Sequence, residues 1–174
     1  MVKNSKETTE MDKMKVLDVL RTHSMKNVNE LSKMCGFSPQ KIAKIIKQLE
    51  KEKRIWGYAT IEDEDANGLK HFVLLVKRST EVLDTGRKNE VIMEKLDDYV
   101  PGGLKIDDIF ITHGMFDGVV TFYAKDIVSA KKLITKMSSR LGKYFKDYIL
   151  LESLFPIQKQ GFKNPEIKKF VEYI

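Results

Sequence analysis

The chain has 174 residues, enough for one or two small domains, and its excess of basic residues gives a formal net charge of +6 at pH 7. No apolar run is long enough to cross a membrane, and residues 3–10 lack the apolar core of a signal peptide. The single cysteine, Cys35, excludes an intramolecular disulfide and fits a reducing compartment. We therefore expect a cytoplasmic protein with a frayed N-terminal tail and no membrane partner.

The positive charge is concentrated near the N-terminus. Residues 1–60 contain 13 Lys and Arg against 7 Asp and Glu, whereas residues 61–174 contain 18 of each kind. Because cations that meet phosphates provide most of the affinity for nucleic acids, this asymmetry favours DNA binding by the N-terminal part. The alternative is a solvated lysine-rich surface, which is common in soluble proteins.

The N-terminal part is predicted to contain three helices. Residues 13–22 and 29–35 have helical apolar spacing, and Gly36 is suited to ending the second helix. Ser38 can cap the third helix, and Pro39 fits its first turn. The apolar residues of the third helix have the spacing of a buried stripe and are Ile42, Ile45, Ile46 and Leu49. Two helices joined through a glycine turn, the second one basic, predict a helix-turn-helix.

Polar residues on the outer face of the third helix and just after it are candidate contacts to double-stranded DNA. The alternative is an ordinary solvated helix face. Lysine and arginine would bind phosphates, and glutamine is suited to reading adenine. The candidate DNA-binding residues are Ser38, Gln40, Lys41, Lys44, Lys47, Gln48, Lys53 and Arg54.

Residues 55–61 are rich in strand-favouring residue types and lead into an acidic turn. Three helices followed by a strand predict a winged helix-turn-helix domain over residues 1–62. We expect Trp56 to pack between the domains rather than to contact DNA.

Residues 63–155 are predicted to form a βαββαβ, ferredoxin-like domain, so the fold class is α+β. The predicted strands lie at residues 71–77, 106–112, 118–124 and 148–155, and the predicted helices lie at residues 88–100 and 127–141. This order places two helices on one face of a four-stranded antiparallel sheet. The other face is then available to pair with a second copy, because exposed apolar sheet surface is unfavourable.

Residues 156–174 are predicted to form a C-terminal helical extension. Asn164 can cap its helix and Pro165 can open it. The apolar residues that follow have helical spacing and are Ile167, Phe170, Val171 and Ile174. A helix this short must dock on another surface to be stable.

These segments together resemble the Lrp/AsnC family of transcription regulators, also called feast/famine proteins. The likeness rests on the helix-turn-helix pattern from Glu30 to Tyr58, on the order of elements over residues 12–155, and on one turn sequence. That turn, Thr112-His113-Gly114-Met115-Phe116-Asp117, is similar to the family's T-x-G-x-(aromatic)-D turn. The sequence departs from the family at Ile45, where an arginine is usual, and at Lys53, where a glycine is usual.

The resemblance implies a sequence-specific DNA-binding transcription regulator that assembles through its C-terminal sheet as a homodimer or a higher homo-oligomer. Members of this family commonly bind an amino acid or a related small metabolite. The resemblance therefore places Thr112, Gly114, Met115 and Asp117 near an effector. The simpler alternative is that the glycine and the aspartate only build a hairpin turn.

Two other functions are alternatives at this stage. Some proteins similar to this family decarboxylate tetrapyrroles with histidine and arginine residues of the C-terminal domain, but His71 and His113 form no clear paired motif here. The second alternative is an architectural DNA-binding protein with little sequence preference. The sequence has no nucleophile elbow, phosphate-binding glycine loop or metal-ligand spacing, so we predict no enzymatic activity, no cofactor and no metal.

Overall fold

The computed structural model describes residues 2–82 and 104–173. The chain forms two compact units, each made of two separate stretches. The first unit comprises Met1–Ile61 and Gln158–Pro165, and the second comprises Glu62–Ile157 and Glu166–Ile174. No helix in the described part of the chain has the length and apolar character needed to cross a membrane.

The first unit is built on three helices, α1 (Val2–His23), α2 (Val28–Cys35) and α3 (Pro39–Lys51). Both short helices have side-chain caps: Asn27 and Glu30 form a capping box on α2, and the Ser38 hydroxyl accepts from the Lys41 amide at the start of α3. Gly36 ends α2 with a φ of 67°, as its place in the sequence predicts. These caps explain why two short helices have sharp ends.

Helix α1 is longer than predicted. It begins at Val2, so residues 3–10, which were expected to be a frayed tail, are helical. The segment contains no glycine or proline that would stop a helix. In addition, Glu10 makes ion pairs with Lys13 and with Arg54, which hold this part of α1 against the residues that follow α3.

The core of the first unit lies where the three helices meet. Its buried side chains are Val16, Leu20, Leu31, Cys35, Ile42, Ile45 and Leu49. Burial of each of the valine, leucine and isoleucine side chains in this core contributes about 1.5–3 kcal/mol. Cys35 is buried there as a small apolar residue, as predicted, and burial raises the pKa of its thiol.

The prediction of a strand at residues 55–61 is wrong. The structure describes this segment and has no strand in it. A strand needs a hydrogen-bonded neighbour, and within the described residues no strand pairs with this segment. Trp56 also differs from expectation, because its side chain is 96% exposed instead of packed.

The second unit contains a four-stranded antiparallel sheet. Its strands are β1 (Lys70–Arg78), β2 (Lys105–Ile111), β3 (Gly118–Ala124) and β4 (Phe145–Glu152), in the order β2-β3-β1-β4. Helix α4 (Ile127–Leu141) lies between β3 and β4, and short 3₁₀ turns occur at Asp65–Asn67 and Gly142–Tyr144. The predicted helix at residues 88–100 lies outside the described residues. The α+β fold class, a helical N-terminal part followed by an antiparallel sheet with helix, is confirmed.

The two faces of the sheet differ in burial. One face packs against α4 through a core that includes Phe72, Phe122 and Leu133. The opposite face, which we call the open face, carries Leu75 at its centre, opposite Val119 on β3 and Ile149 on β4. Phe110 on β2 pairs with Val119 and extends this apolar row. Phe110 and Ile149 remain 52% and 42% exposed, so the row forms an apolar surface on the described unit.

The C-terminal extension is divided between the units and does not form the predicted α-helix. Strands β5 (Gln158–Lys159) and β6 (Phe162–Lys163) form a hairpin within the first unit. The last element is a 3₁₀ helix, Ile167–Tyr173, within the second unit. The Phe155 ring contacts the rings of Phe170 and Tyr173 at centroid distances of 6.3 and 5.3 Å. These aromatic contacts, one of them made by Phe170 of the predicted apolar stripe, hold the last element in place.

Candidate functional site

A stripe of polar residues runs along the outer face of α3. Gln40, Lys44, Lys47 and Lys51 follow one another at spacings of four, three and four residues, so they share one side of the helix. All four are exposed, whereas Ile42, Ile45 and Leu49 face the core. Within residues 2–82 and 104–173, none of the three ammonium groups lies within 4 Å of a carboxylate oxygen. The stripe therefore presents three cations to solvent. Lys51 is not among the candidate DNA-binding residues named from the sequence, although its spacing continues the stripe.

Lys41 has a different environment from the stripe. Its Nζ lies 2.6 Å from Oδ2 of Asp12 and 3.9 Å from the centroid of the Phe37 ring. The Nζ of Lys15 lies 5.4 Å from the same ring. Lys41 thus links α3 to α1 and to the turn before α3, and much of its charge is already balanced by Asp12.

Arg54 and Gln48 belong to a network around a buried lysine. Lys13 is only 3% exposed, and its Nζ donates to Oε1 of Glu10 at 2.9 Å and to Oε1 of Glu52 at 2.7 Å. The Arg54 Nη1 donates to Glu10 at 2.9 Å, and the Gln48 amide donates to Glu52 at 2.9 Å.

The charges of this network support one another. Hydrogen bonds from Lys13 hold the pKa of both glutamates below its usual range, and the bond to Glu52 is the main cause of a raised Lys13 pKa. All three groups are therefore charged near neutral pH. The network joins α1 to the end of α3 across about forty residues of sequence, which is why local patterns could not predict it.

The four candidate effector residues lie in one turn between β2 and β3. The Thr112 amide donates to the Asp117 carbonyl at 2.9 Å, and the Thr112 hydroxyl donates to the Phe116 carbonyl at 2.7 Å. Oδ2 of Asp117 accepts from the Arg78 amide at 2.9 Å, which ties the turn to the end of β1. Gly114 has a φ of +152°, a conformation that favours glycine, and Met115 is 76% exposed. Thr112 and Asp117 therefore have structural roles, and the exposed part of the turn is Gly114 and Met115.

No sequence model of a protein family matches this chain, and no curated protein matches it. Solved structures do match over nearly the whole chain. An AsnC family transcriptional regulator from Agrobacterium tumefaciens is 17% identical, with 94% of this chain and 97% of that chain covered and a TM-score of 0.66. LrpC of B. subtilis is 18% identical, with 84% and 95% covered and a TM-score of 0.62. A transcriptional regulator from Neisseria meningitidis, solved as a complex with L-Met, is 18% identical, with 88% and 94% covered and a TM-score of 0.62. The chain has the Lrp/AsnC fold.

The two departures from the Lrp/AsnC sequence pattern have structural explanations. Ile45 is 6% exposed and belongs to the helical core, so an apolar residue suits its position. Lys53 has a φ of 56°, which explains why glycine is usual there. The Lys53 amide donates to the Glu50 carbonyl and the Arg54 amide donates to the Leu49 carbonyl. This is the hydrogen-bond pattern of a Schellman motif, in which Lys53 occupies the left-handed position after the helix.

A second polar cluster in the Lrp/AsnC sheet lies at the end of β3 away from the Thr112–Asp117 turn. Glu64 and Tyr123 are both buried, and the Glu64 and Asp107 carboxylates both act on the Tyr123 hydroxyl. Burial and these carboxylates raise the pKa of Tyr123, and burial together with Asp108 raises the pKa of Asp107. The His71 ring lies 5.1 Å from the Tyr123 ring. The residues come from distant parts of the sequence, and no spacing in it predicts their meeting.

Proposed function

We propose that this chain is a DNA-binding transcription regulator of the Lrp/AsnC family and that α3 is its recognition helix. The observation that supports this proposal best is the stripe of Gln40, Lys44, Lys47 and Lys51, whose cations have no acidic partner within the described residues. A helix of this kind fits the major groove, where lysines bind phosphates and Gln40 can read a base edge.

The candidate DNA-binding residues fall into two groups, those that contact DNA directly and those that hold α3 in place. Lys44, Lys47 and Lys51 provide the phosphate contacts, with Ser38 at the start of the helix and Lys53 after its end. The contacts of Lys41, Gln48 and Arg54 with α1 acids and Glu52 favour a scaffolding role for them. Such residues orient the recognition helix, and they can turn to phosphate only after an internal contact breaks.

The same proposal includes assembly as a homodimer or a higher homo-oligomer through the open face. Its apolar row of Phe110, Val119, Leu75 and Ile149 is a surface that a second copy can bury. A two-fold axis between the sheets would present two recognition helices to successive major grooves. A palindromic operator follows from that symmetry.

The proposal further includes an amino acid or a related metabolite as effector at the Thr112–Asp117 turn. The fold match to a regulator in complex with L-Met and the exposure of Gly114 and Met115 favour this assignment. Amide groups of a glycine turn can hold a carboxylate, and the free lone pairs of Asp117 can accept from an ammonium group. Titration calorimetry with each of the twenty common L-amino acids tests this part. Binding that survives Met115→Ala but is abolished by Gly114→Val would agree with it, and no binding by any of them would contradict it.

The DNA-binding part is tested by a Lys44→Ala/Lys47→Ala variant in a fluorescence-anisotropy titration over several salt concentrations. Each lost phosphate contact lowers the slope of log Kd against log salt by roughly 0.9, so the double variant should lose roughly two units per chain. Lys131→Ala/Lys132→Ala removes the same charge from exposed positions of α4 and serves as the control. Equal slopes for both double variants would refute α3 as the recognition helix. A separate footprinting experiment distinguishes a regulator from an architectural protein, because a regulator should protect only a few genomic sites.

A further inference from the structure

The helical unit contains two strands that come from the far end of the chain. After β4 ends at Glu152 in the second unit, residues Gln158–Pro165 belong to the first unit, and from Glu166 the chain belongs to the second unit again. The strands pair as Gln158 with Lys163 and Lys159 with Phe162. A hairpin of two residue pairs is too small to be stable alone, so its order depends on the helical unit that it joins.

The turn of this C-terminal hairpin, residues 158–163, is tight and exposed. Gln160 and Gly161 have φ angles of 47° and 92°, so both central residues are left-handed, as two-residue hairpin turns of the I′ type require. Gln160, Gly161 and Lys163 are all exposed. A glutamine in a left-handed conformation is unfavourable compared with glycine, which suggests that its side chain has a function at the tip.

The charge of the hairpin follows that of the unit it joins. Residues 158–165 contain two lysines and no acidic residue. With them, the first unit has 15 Lys and Arg against 7 Asp and Glu, a net charge of +8, and the second unit has 16 against 18, a net charge of −2. Residues 158–165 therefore add two lysines to the basic first unit, whereas the residues on either side of them belong to the acidic second unit.

We propose that the C-terminal hairpin is the wing of the helix-turn-helix and a second DNA-contacting element of the first unit, in addition to α3. Lys159 and Lys163 bind phosphates, and Gln160 at the tip reaches the groove or the backbone beside it. Two-stranded ribbons and basic hairpin tips meet DNA in this way, and the segment at residues 55–61, where a wing strand was predicted, has none. This inference rests on the proposed DNA-binding function.

The test is the same salt-dependent anisotropy titration on a fluorescein-labelled duplex of roughly 30 base pairs, which spans half-sites one helical turn apart. Lys163→Ala should lower the slope of log Kd against log salt by roughly one unit per chain, and Lys159→Ala/Lys163→Ala by roughly two. Lys163→Arg should retain the wild-type slope. Lys131→Ala/Lys132→Ala is the charge-matched control in the second unit, and far-UV circular dichroism melts establish that each variant is folded.

The outcomes separate this inference from the proposed function. If the Lys44/Lys47 variant loses its two units while the hairpin variants match the α4 control, the hairpin is not a wing and only this inference fails. If the hairpin variants instead change the sedimentation coefficient and leave the salt slope unchanged, the hairpin contacts a second copy of the chain, which also overturns it. If the Lys44/Lys47 variant itself binds DNA like the control, the proposed function fails.

Discussion

Replacement of Lys53 by glycine should stabilise the first unit. Lys53 occupies the left-handed position of a Schellman motif, with a φ of 56°. A residue with a Cβ destabilises the folded state by about 1–2 kcal/mol in this conformation, because the Cβ clashes with the backbone. Glycine avoids that strain, but it loses more conformational entropy on folding, which costs about 0.5–1 kcal/mol. The central values of these two ranges differ by about 0.75 kcal/mol, so we expect Lys53→Gly to raise the free energy of unfolding by that amount.

Urea titrations followed by far-UV circular dichroism measure this change, because the first unit is built on α1, α2 and α3. Trp56 is unsuitable as a fluorescence probe, because its side chain is 96% exposed in the folded protein. Lys51→Gly is the matched control. It places glycine in the last turn of α3 instead of a good helix former, and it should lower the free energy of unfolding by about 1 kcal/mol. A Lys53→Gly midpoint at or below the wild-type value would refute the strain argument.

Three further predictions concern other parts of the chain. Lys13→Met should lower the melting temperature at pH 7, because Glu10 and Glu52 lose the ammonium group that lowers their pKa. This stabilisation disappears as the pH falls below about 4.5, the usual pKa of a glutamate, so the difference in melting temperature from wild type should shrink by pH 3 in calorimetric melts. A difference in melting temperature that stays constant with pH would argue against this role of Lys13. Tyr123→Phe should cost about 1–3 kcal/mol in urea titrations because it leaves the buried Glu64 without its hydroxyl donor, and an unchanged midpoint would contradict that pairing. Leu75→Asp should convert the assembly to folded monomers in analytical ultracentrifugation, and a retained oligomer would exclude the open face as the interface.

The features predicted from sequence are those that local chemistry determines. Helix α3 has a cap at Ser38, a proline in its first turn and an apolar residue at every buried position, so its start and its buried face were predictable. Strand β3 was predicted at its observed bounds, since Gly118 follows a turn and the strand ends in a buried alanine. These elements do not require knowledge of their neighbours.

The features that were missed depend on partners distant in sequence. The predicted strand at residues 55–61 has suitable residue types but no neighbouring strand to bond with. The hairpin at residues 158–163 has few strand-favouring residues and forms within a unit whose other residues end nearly one hundred positions earlier. The ion pairs of Lys41 and Arg54 could not be predicted either, because their partners, Asp12 and Glu10, are 29 and 44 positions away.

The internal ion pairs also determine how much of the first unit's charge can act on DNA. The acids of α1 neutralise Lys41 and Arg54, and Lys13 is buried between two glutamates, so these three cations contribute little to the field outside the unit. The proposed phosphate contacts are the three lysines of the α3 stripe, Lys53 after the helix, and the two lysines of the C-terminal hairpin. At roughly 0.9 released counterions for each phosphate contact, six contacts predict a slope of log Kd against log salt of about 5.4 per chain. A slope of about 3.6 would assign binding to the stripe and Lys53 alone, whereas a slope well above six would mean that further cations of the first unit also contact DNA.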